Sequence, residues 1–400
     1  MGQIFLYSKI SFLIILVNSF SIAFWDTFPN SAIIPFVEIS YLLKKVLCGI
    51  VLIALPFSKR NLNPALLCLL VGLSFYIFTF AFFPDNIYLF EQIQSDYLCC
   101  ILAFCTCVTL EIDIQKLMRI FLLSSRIAFC ISVYMVVVYI GSDLMYYLSN
   151  NYMFLANALV SSVAFILYGM IVNKNLIDCI FSVLGIVLLV LGSRGALLSI
   201  LLLFLLLAYY NHYFSTKNII LLIISCIGLF FIYQYFVGGF NIEFSNSRIF
   251  SFLNDSSYNY KDEDRFDIWN IIFDRVLDNY FLPSGLCADR VFLNEALGTL
   301  GGSMYAHNFF VEMLADFGIV GLFFAFYLFY QLFYYLASKK YSALSKSYMS
   351  VLFCISLFQL LFSRTLIREY NLYIFLAVLY ISIKSGNRCE TKGISNNSNI

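Results

Sequence analysis

The sequence predicts an all-α polytopic membrane protein with about 12 transmembrane helices. Its 400 residues are 62% apolar and 12% charged, with a mean hydropathy of +0.88, whereas a soluble domain is about 45–50% apolar and about 25% charged. Apolar runs of roughly 20 residues recur, the length that a helix needs to cross a hydrocarbon core about 30 Å thick. Helices satisfy their own backbone hydrogen bonds, so they cross lipid where open sheets cannot.

Each long apolar run is a predicted span. The fourth and twelfth runs are shorter than the others, and an even number of spans places both chain ends on one side. The predicted spans are 10–24, 33–57, 64–83, 97–110, 120–140, 153–172, 176–191, 196–210, 219–237, 307–330, 347–362 and 372–383.

One long polar interval, residues 241–306, divides the chain. It holds ten of the 23 acidic residues and five of the 24 basic ones, so water or a polar ligand should meet the protein here. The predicted organisation is a transmembrane bundle at 1–240, this large periplasmic loop at 241–306, C-terminal transmembrane helices at 307–384 and a polar cytoplasmic tail at 385–400.

Basic residues orient the bundle, because cytoplasmic loops retain Lys and Arg. With the N-terminus inside, the inner segments hold ten Lys and three Arg, whereas the outer loops at 25–32, 84–96 and 141–152 hold neither. Both termini are therefore predicted to be cytoplasmic. The outer exceptions are seven Arg and one Lys, a bias toward the forked guanidinium group that binds phosphate or carboxylate.

Composition also excludes several classes of site. The net charge of +1 argues against a nucleic-acid partner. Of the 12 cysteines only Cys287 falls in an outer loop, so a disulfide framework is not expected there. The two histidines lie on opposite sides, His212 inside and His307 outside, so a site with several histidine ligands cannot be built.

A tight Gly192–Gly195 turn places Arg194 at the outer mouth of the bundle, where the glycines let the backbone reverse. Pairing with lipid head groups is the alternative for this Arg. In the long loop, Arg265 precedes apolar residues at helical spacing that begin with Trp269. This spacing predicts an amphipathic helix at the membrane interface, with Trp269 as its anchor, that ends near Pro283. Alternatively, Arg265 pairs with neighbouring acids on a surface helix.

His307 opens the tenth predicted span and is followed by Asn308, Glu312 and Asp316. The last three recur at i+4 and form a polar stripe, which is costly inside a span and points toward a cavity. An ordinary interfacial histidine is the alternative. In the last outer loop, Arg364 and Arg368 lie one helical turn apart and either complete a cationic cluster or anchor the interface.

Together these motifs resemble the O-antigen polymerase and O-antigen ligase superfamily of bacterial glycan-transfer proteins. The resemblance rests on Gly192–Leu198, on Arg265 with Trp269, and on His307-Asn308 followed by 313–321, in this order and with a large outer loop before the helix that His307 opens. It covers roughly residues 180–330, and the rest matches as architecture.

The resemblance implies a glycosyltransferase of the bacterial inner membrane that acts in lipopolysaccharide biosynthesis on an oligosaccharide carried by undecaprenyl diphosphate. It implies no metal or other cofactor, and a chain-length regulator protein is a further expected partner besides membrane lipid. Arg194 and Arg265 would bind the diphosphate, and His307 would act as general base. The expected substrate-binding residues are Trp269, Asn308, Glu312, Arg364 and Arg368.

Within this resemblance we predict an O-antigen polymerase. Such an enzyme transfers a growing chain from its undecaprenyl diphosphate carrier to the non-reducing end of another lipid-linked repeat unit. The nearest alternative is an O-antigen ligase that transfers finished chains to lipid A core. A transporter or flippase for lipid-linked glycans is the alternative from another class, but it would spread polar residues over many spans and show two similar halves.

Overall fold

The computed structural model describes residues 46, 62–91, 94–109, 114–140, 159–190, 194–212, 263–298, 305–362 and 365–397. These residues form helices and short connections, and no β-strand occurs among them. The predicted all-α class is therefore confirmed. The predicted spans at 10–24 and 219–237 lie outside the described residues, as does 33–57 apart from Val46.

The described part of the chain contains seven helices before the long loop. They are α1 (Leu62–Phe82), α2 (Pro84–Glu91), α3 (Gln94–Thr109), α4 (Ile114–Ile140), α5 (Leu159–Val172), α6 (Leu176–Val190) and α7 (Arg194–Tyr210). The helices of the long loop and beyond are α8 (Glu263–Asp278), α9 (Ala288–Leu297), α10 (Phe309–Ala337), α11 (Ala343–Ile355), α12 (Leu357–Leu360) and α13 (Tyr370–Asn397), with a 3₁₀ turn at Leu366–Arg368.

Three of the described helical segments are long and apolar enough to cross a membrane: Leu62–Phe82, Phe309–Ala337 and Ala343–Leu360. Shorter apolar helices at Asp96–Thr109, Leu159–Val172, Leu176–Leu189, Gly195–Tyr210 and Tyr370–Ser385 coincide with predicted spans. The structure thus supports a protein built of membrane-spanning helices, and the total of twelve stays a prediction.

Helix α10 differs from its prediction at both ends and in the middle. It begins at Phe309 rather than His307 and continues to Ala337 rather than residue 330. Inside it, Gly318 has φ 64° and ψ −155°, so two helical parts are joined at a kink at this residue. A glycine is required there because other residues rarely adopt a positive φ.

Buried apolar side chains hold the described helices together in separate clusters. The largest joins α3 to α7 with α10 to α13 and contains the fully buried rings of Phe129 and Tyr335. A second cluster packs Leu286 against α1 and α3. A third joins α8 and α9 to the first part of α10 through Ile272 and Leu293. The long polar loop is therefore docked onto the helices by its own apolar residues.

Polar contacts mark two ends of this assembly. At the end opposite to His307, Tyr210 donates to the carbonyl of Leu336 at 3.2 Å and Asn211 donates to Ser347 Oγ at 2.9 Å. We call this the opposite end, and we call the end that carries His307 the site end. The half of the assembly nearer the opposite end is called the opposite half. There, α4 and α6 are joined by Arg126, which donates two hydrogen bonds of 2.7 Å to Asp178.

Candidate active site

His307 lies immediately before the first turn of α10. Asn308 caps that helix, because its Oδ1 accepts hydrogen bonds from the amides of Phe310 at 2.9 Å and Val311 at 3.3 Å. His307 itself has a φ of 52°, a left-handed conformation that costs an ordinary residue roughly 1–2 kcal/mol. Its neighbours must therefore supply the interactions that keep it there.

Those interactions act on Ala306, the residue before the histidine. Its amide donates to Asp289 Oδ2 at 2.8 Å, and its carbonyl accepts from the indole Nε1 of Trp269 at 2.8 Å. Asp289 belongs to α9 and Trp269 to α8. Two helices of the long loop therefore hold Ala306, just before the start of α10, through its amide and its carbonyl. We call this arrangement the Ala306 clamp, and it fixes where the chain delivers His307.

The imidazole of His307 is mostly buried and uncharged at neutral pH. Burial lowers its pKa, and the charges of Arg265 and Arg290 lower it further, to about 4. Its ring lies 3.8 Å from that of Tyr305, centroid to centroid. Its Nδ1 is buried and finds no hydrogen-bond partner among the described residues. A neutral imidazole beside two guanidinium groups can accept a proton where an anion is bound.

A group of buried ionisable side chains lies next to the clamp. Arg290 is 8% exposed and interacts electrostatically with Asp289, Glu312 and Asp316, all of them buried. Burial raises the pKa of Asp289, and the nearby Arg290 offsets part of that rise. The guanidinium carbon of Arg290 lies 5.6 Å from the ring centre of Tyr305, within cation–π range. Three acids therefore share one buried arginine.

Glu312 ties the last outer loop to this group. Both of its carboxylate oxygens accept from the amide of Leu366, at 3.1 and 2.9 Å, and the Thr365 hydroxyl donates to Oε1. The 3₁₀ turn Leu366–Arg368 is thereby held against the first turn of α10. Arg364 and the side chain of Arg368 lie outside the described residues, so their part in the site stays a prediction.

The turn after α8 docks on the middle of α10. Gly285 donates to the carbonyl of Asp316 at 3.1 Å, and the amide of Ala288 donates to Asp316 Oδ1 at 3.0 Å. Asn86 of α2 donates to the carbonyls of Ser284 and Leu286 at 2.8 and 3.0 Å. This network fixes α9, and with it Asp289 and Arg290, relative to α10 and the N-terminal helices.

The predicted site residues have different outcomes. Arg265 lies on α8, partly exposed and close enough to His307 for its charge to lower the histidine pKa. Arg194 begins α7, but its side chain lies outside the described part of the chain. The structure therefore brings Arg265 and His307 together, while the approach of Arg194 stays a prediction.

The structure assigns Trp269, Asn308 and Glu312 contacts within the protein. Trp269 packs in the cluster of α8, α9 and α10 and belongs to the Ala306 clamp. Asn308 caps α10, and Glu312 binds the last outer loop. All three thus position the site, and direct contact of any of them with substrate stays a prediction.

Asp289 and Arg290 received no individual role from the sequence. Arg290 belongs to the outer arginines whose excess was noted, but a single Asp-Arg pair in a polar loop gives no sign of burial. The signal that could have found them is the run Leu286-Cys287-Ala288 directly before the pair, which is apolar within an otherwise polar interval. Burial raises the pKa of Cys287 as well, which agrees with a packed loop.

No group of three or more His, Cys, Asp and Glu side chains in the described ranges is arranged to hold a metal ion. Metal-independent chemistry remains an expectation from the family resemblance.

A family model matches part of the chain. The family model described as O-antigen ligase matches residues 179–326, from α6 through the long loop into α10. This match confirms the resemblance to the O-antigen polymerase and ligase superfamily. No curated protein matches. No solved structure matches either.

Proposed function

We propose that this chain, whose residues 179–326 carry the O-antigen ligase family match, is a glycosyltransferase on the outer face of the bacterial inner membrane. It moves a glycan from undecaprenyl diphosphate to the non-reducing end of another lipid-linked repeat unit, which is the reaction of an O-antigen polymerase. The observation that carries this proposal is the uncharged imidazole of His307, fixed by the Ala306 clamp beside Arg265 and Arg290.

His307 acts as the general base. It takes the proton of the acceptor hydroxyl while that oxygen forms a bond to the anomeric carbon of the donor sugar. The bond between the anomeric carbon and the diphosphate oxygen breaks, and its electron pair leaves with the diphosphate. Attack from the face opposite to the departing group gives inversion at the anomeric carbon. General-base catalysis contributes typically about 10²–10⁴-fold to such a step.

Arg265, and Arg194 from the N-terminal end of α7, stabilise the departing diphosphate. Negative charge grows on this group in the transition state, so fixed guanidinium groups bind the transition state more tightly than the ground state. Arg290 is buried among acids and close enough to His307 for its charge to lower the histidine pKa, so we give it an electrostatic role. The donor diphosphate would offset the positive charges that lower the His307 pKa and so make the imidazole a stronger base in the complex.

The second candidate is an O-antigen ligase, because that is the description of the matching family. Both reactions use the same donor and the same base, and they differ in the acceptor. A deletion strain separates them on a lipopolysaccharide gel. Loss of a polymerase leaves lipopolysaccharide with a single repeat unit, whereas loss of a ligase leaves bare core while polymer stays on the carrier.

The direct test uses the two histidines of the chain as a matched pair. His307→Gln and His212→Gln each remove one imidazole, at the site end and at the opposite end respectively. In the complemented deletion strain, His307→Gln should abolish chain extension at normal protein abundance, and His212→Gln should restore full-length chains. Normal polymer from His307→Gln would remove the base assignment.

A further inference from the structure

We infer that an exposed apolar surface on the long loop is embedded in the outer leaflet of the bilayer and contacts phospholipid acyl chains. This surface, which we call the apolar ridge, runs along one side of α8 and continues into the turn after it. Its residues are Phe266, Phe273, Leu277, Tyr280, Phe281 and Leu282.

The ridge is a second apolar face of α8, separate from the face that packs into the protein. Phe266, Phe273 and Leu277 follow the spacing i, i+7, i+11 and share one side of the helix. Phe266 is 64% exposed and Leu277 is 53% exposed. The packed face carries Ile268, Ile272 and Val276, which are all buried. An amphipathic helix that lies in a membrane interface needs such an additional apolar face.

The residues that face the membrane differ from the Trp269 anchor that the sequence predicted. Trp269 packs against the protein and donates to Ala306, so phenylalanines and leucine take its place toward lipid. The polar side of α8, with Asp267 and Asp274 exposed, lies about 80–100° around the helix axis from the ridge, at 3.6 residues per turn.

The turn after α8 is held in a costly conformation that exposes apolar side chains. Tyr280 and Phe281 have φ values of 52° and 58°, which bulky residues rarely adopt. Tyr280 is 85% exposed and Leu282 is 58% exposed. Two backbone hydrogen bonds keep the turn in place, from Phe281 N to Val276 O at 2.9 Å and from Ile319 N to Phe281 O at 3.0 Å.

The contact with Ile319 gives the depth of the turn. Lys339 and Lys340 follow α10 directly and mark the inner membrane surface. From Ala337 back to Ile319 the second part of α10 has about 19 residues, or roughly 28 Å at 1.5 Å per residue, which matches the hydrocarbon core. The break at Gly318 therefore coincides with the outer boundary of the core, and the turn lies at that level.

Helix α1 gives the same level independently. Lys59 and Arg60 precede it in the sequence, so the outer boundary should fall about 20 residues later, near residue 80. Thr79 accepts a hydrogen bond from the amide of Leu286 at 2.9 Å. Two helices thus place the segment from Tyr280 to Leu286 at the outer edge of the hydrocarbon core.

The ridge is also continuous with a surface that must face lipid. Below Ile319, α10 exposes Val320 at 69% and Phe323 at 68%, in a helix long and apolar enough to span a membrane. Because Phe281 bonds to Ile319, the turn joins this lipid-facing surface without a gap. Acyl chains that cover Val320 and Phe323 can therefore extend over Leu282 and Tyr280.

Tryptophan fluorescence in bilayers of phosphatidylcholine tests the inference. The full-length chain with Trp25→Phe is the background, and it keeps Trp269 as a constant emitter. Leu282→Trp places a probe on the ridge, and Asp274→Trp places one on the polar side of α8. Phe273→Trp and Asp267→Trp form a second pair in case one variant does not fold. Each is compared in plain lipid, in lipid with brominated acyl chains, and with aqueous iodide.

Brominated acyl chains should quench the added emission of the ridge probes at least about twofold more strongly than that of the polar-side probes. Iodide should quench the polar-side probes more strongly. This pattern is expected when the ridge lies at the boundary of the acyl chains. Equal quenching of both faces by iodide would place the ridge in water and overturn the inference. Protection of the ridge probes from both quenchers would mean that protein covers them, and it would overturn the inference too.

Discussion

The opposite half of the described helices and the site end use charged residues in contrasting ways. Between α4 and α6, one arginine meets one carboxylate: both oxygens of Asp178 accept from Arg126, whose side chain is 30% exposed. At the site end, three buried acids share the buried Arg290, and Asp316 Oδ2 finds no partner among the described residues. The first arrangement is fully paired, and the second is not.

Backbone conformation shows the same contrast. Lys174 and His212 have positive φ values just after helices α5 and α7, where such residues commonly end a helix. Cys287 and His307 have positive φ values just before helices α9 and α10, where an extended conformation is usual. Strain and incompletely paired charges therefore gather around His307. Such features persist at functional sites because the surrounding structure compensates for them.

The largest expected effect concerns the docking of the long loop. Gly318→Ala would place a Cβ 2.3 Å from the carbonyl oxygen of Phe281, in addition to the cost of a positive φ. We expect a loss of about 2–4 kcal/mol in unfolding free energy, measured by SDS titration in mixed micelles. Gly298→Ala is the matched control, because Gly298 also has a positive φ of 63° but its Cβ would meet none of the described atoms within 4 Å. It should cost only about 1 kcal/mol, and equal losses would mean that this contact does not hold the loop.

The contrast between the two acids can be tested by one substitution at each. Asp289→Asn weakens the Ala306 clamp. Since misplacement of a catalytic group by 1 Å costs up to about 10²-fold, we expect a loss of that order in kcat. Asp178→Asn should leave kcat unchanged and reduce stability by about 1–3 kcal/mol. Transfer assays with lipid-linked donor and thermal unfolding give both values. The reverse pattern would show that the clamp is merely structural.

The pH dependence of the reaction reports the environment of His307. Its pKa of about 4 in the free protein means that the imidazole stays neutral, and competent as a base, until the pH falls to that value. The acid limb of kcat/KM should therefore lie near pH 4, and rates near pH 5.5 should exceed by about tenfold those of a base with the ordinary pKa of about 6.5. The limb of kcat should lie at higher pH, because bound diphosphate raises the histidine pKa. An acid limb of kcat/KM near 6.5 would contradict the buried site.

The smallest effect is expected at the last outer loop. Thr365→Val removes the hydroxyl that donates to Glu312, so the turn that carries Arg368 should be held less firmly. If that turn helps to bind the diphosphate, KM for the donor should rise by about threefold to tenfold, because one hydrogen bond that positions the turn is lost. The value of kcat should change little. Thr365→Ser keeps the hydroxyl and should restore KM. An unchanged KM in the valine variant would separate this loop from donor binding.

The sequence predicted the class of the protein and part of the site. Helix α8 was expected from the spacing of its apolar residues, and Arg265 and His307 were named from local motifs that the structure brings within electrostatic reach of each other. Trp269, Asn308 and Glu312 were predicted to bind substrate, whereas their described contacts are within the protein. Asp289 was missed, because a carboxylate in a polar loop looks the same in sequence whether it is exposed or buried.

The sequence by itself determined that the described chain is helical and suited to a membrane, because hydropathy and helical spacing are properties of each segment alone. It also determined which residue types could carry transfer chemistry, since a lone outer histidine and an excess of outer arginines can be counted. Only the tertiary structure decided that His307 is clamped, buried and uncharged, that Asp289 bonds to the residue before it, and that the charge of Arg290 reaches it. Burial of a charge depends on which distant helices pack around it, and no local pattern carries that information.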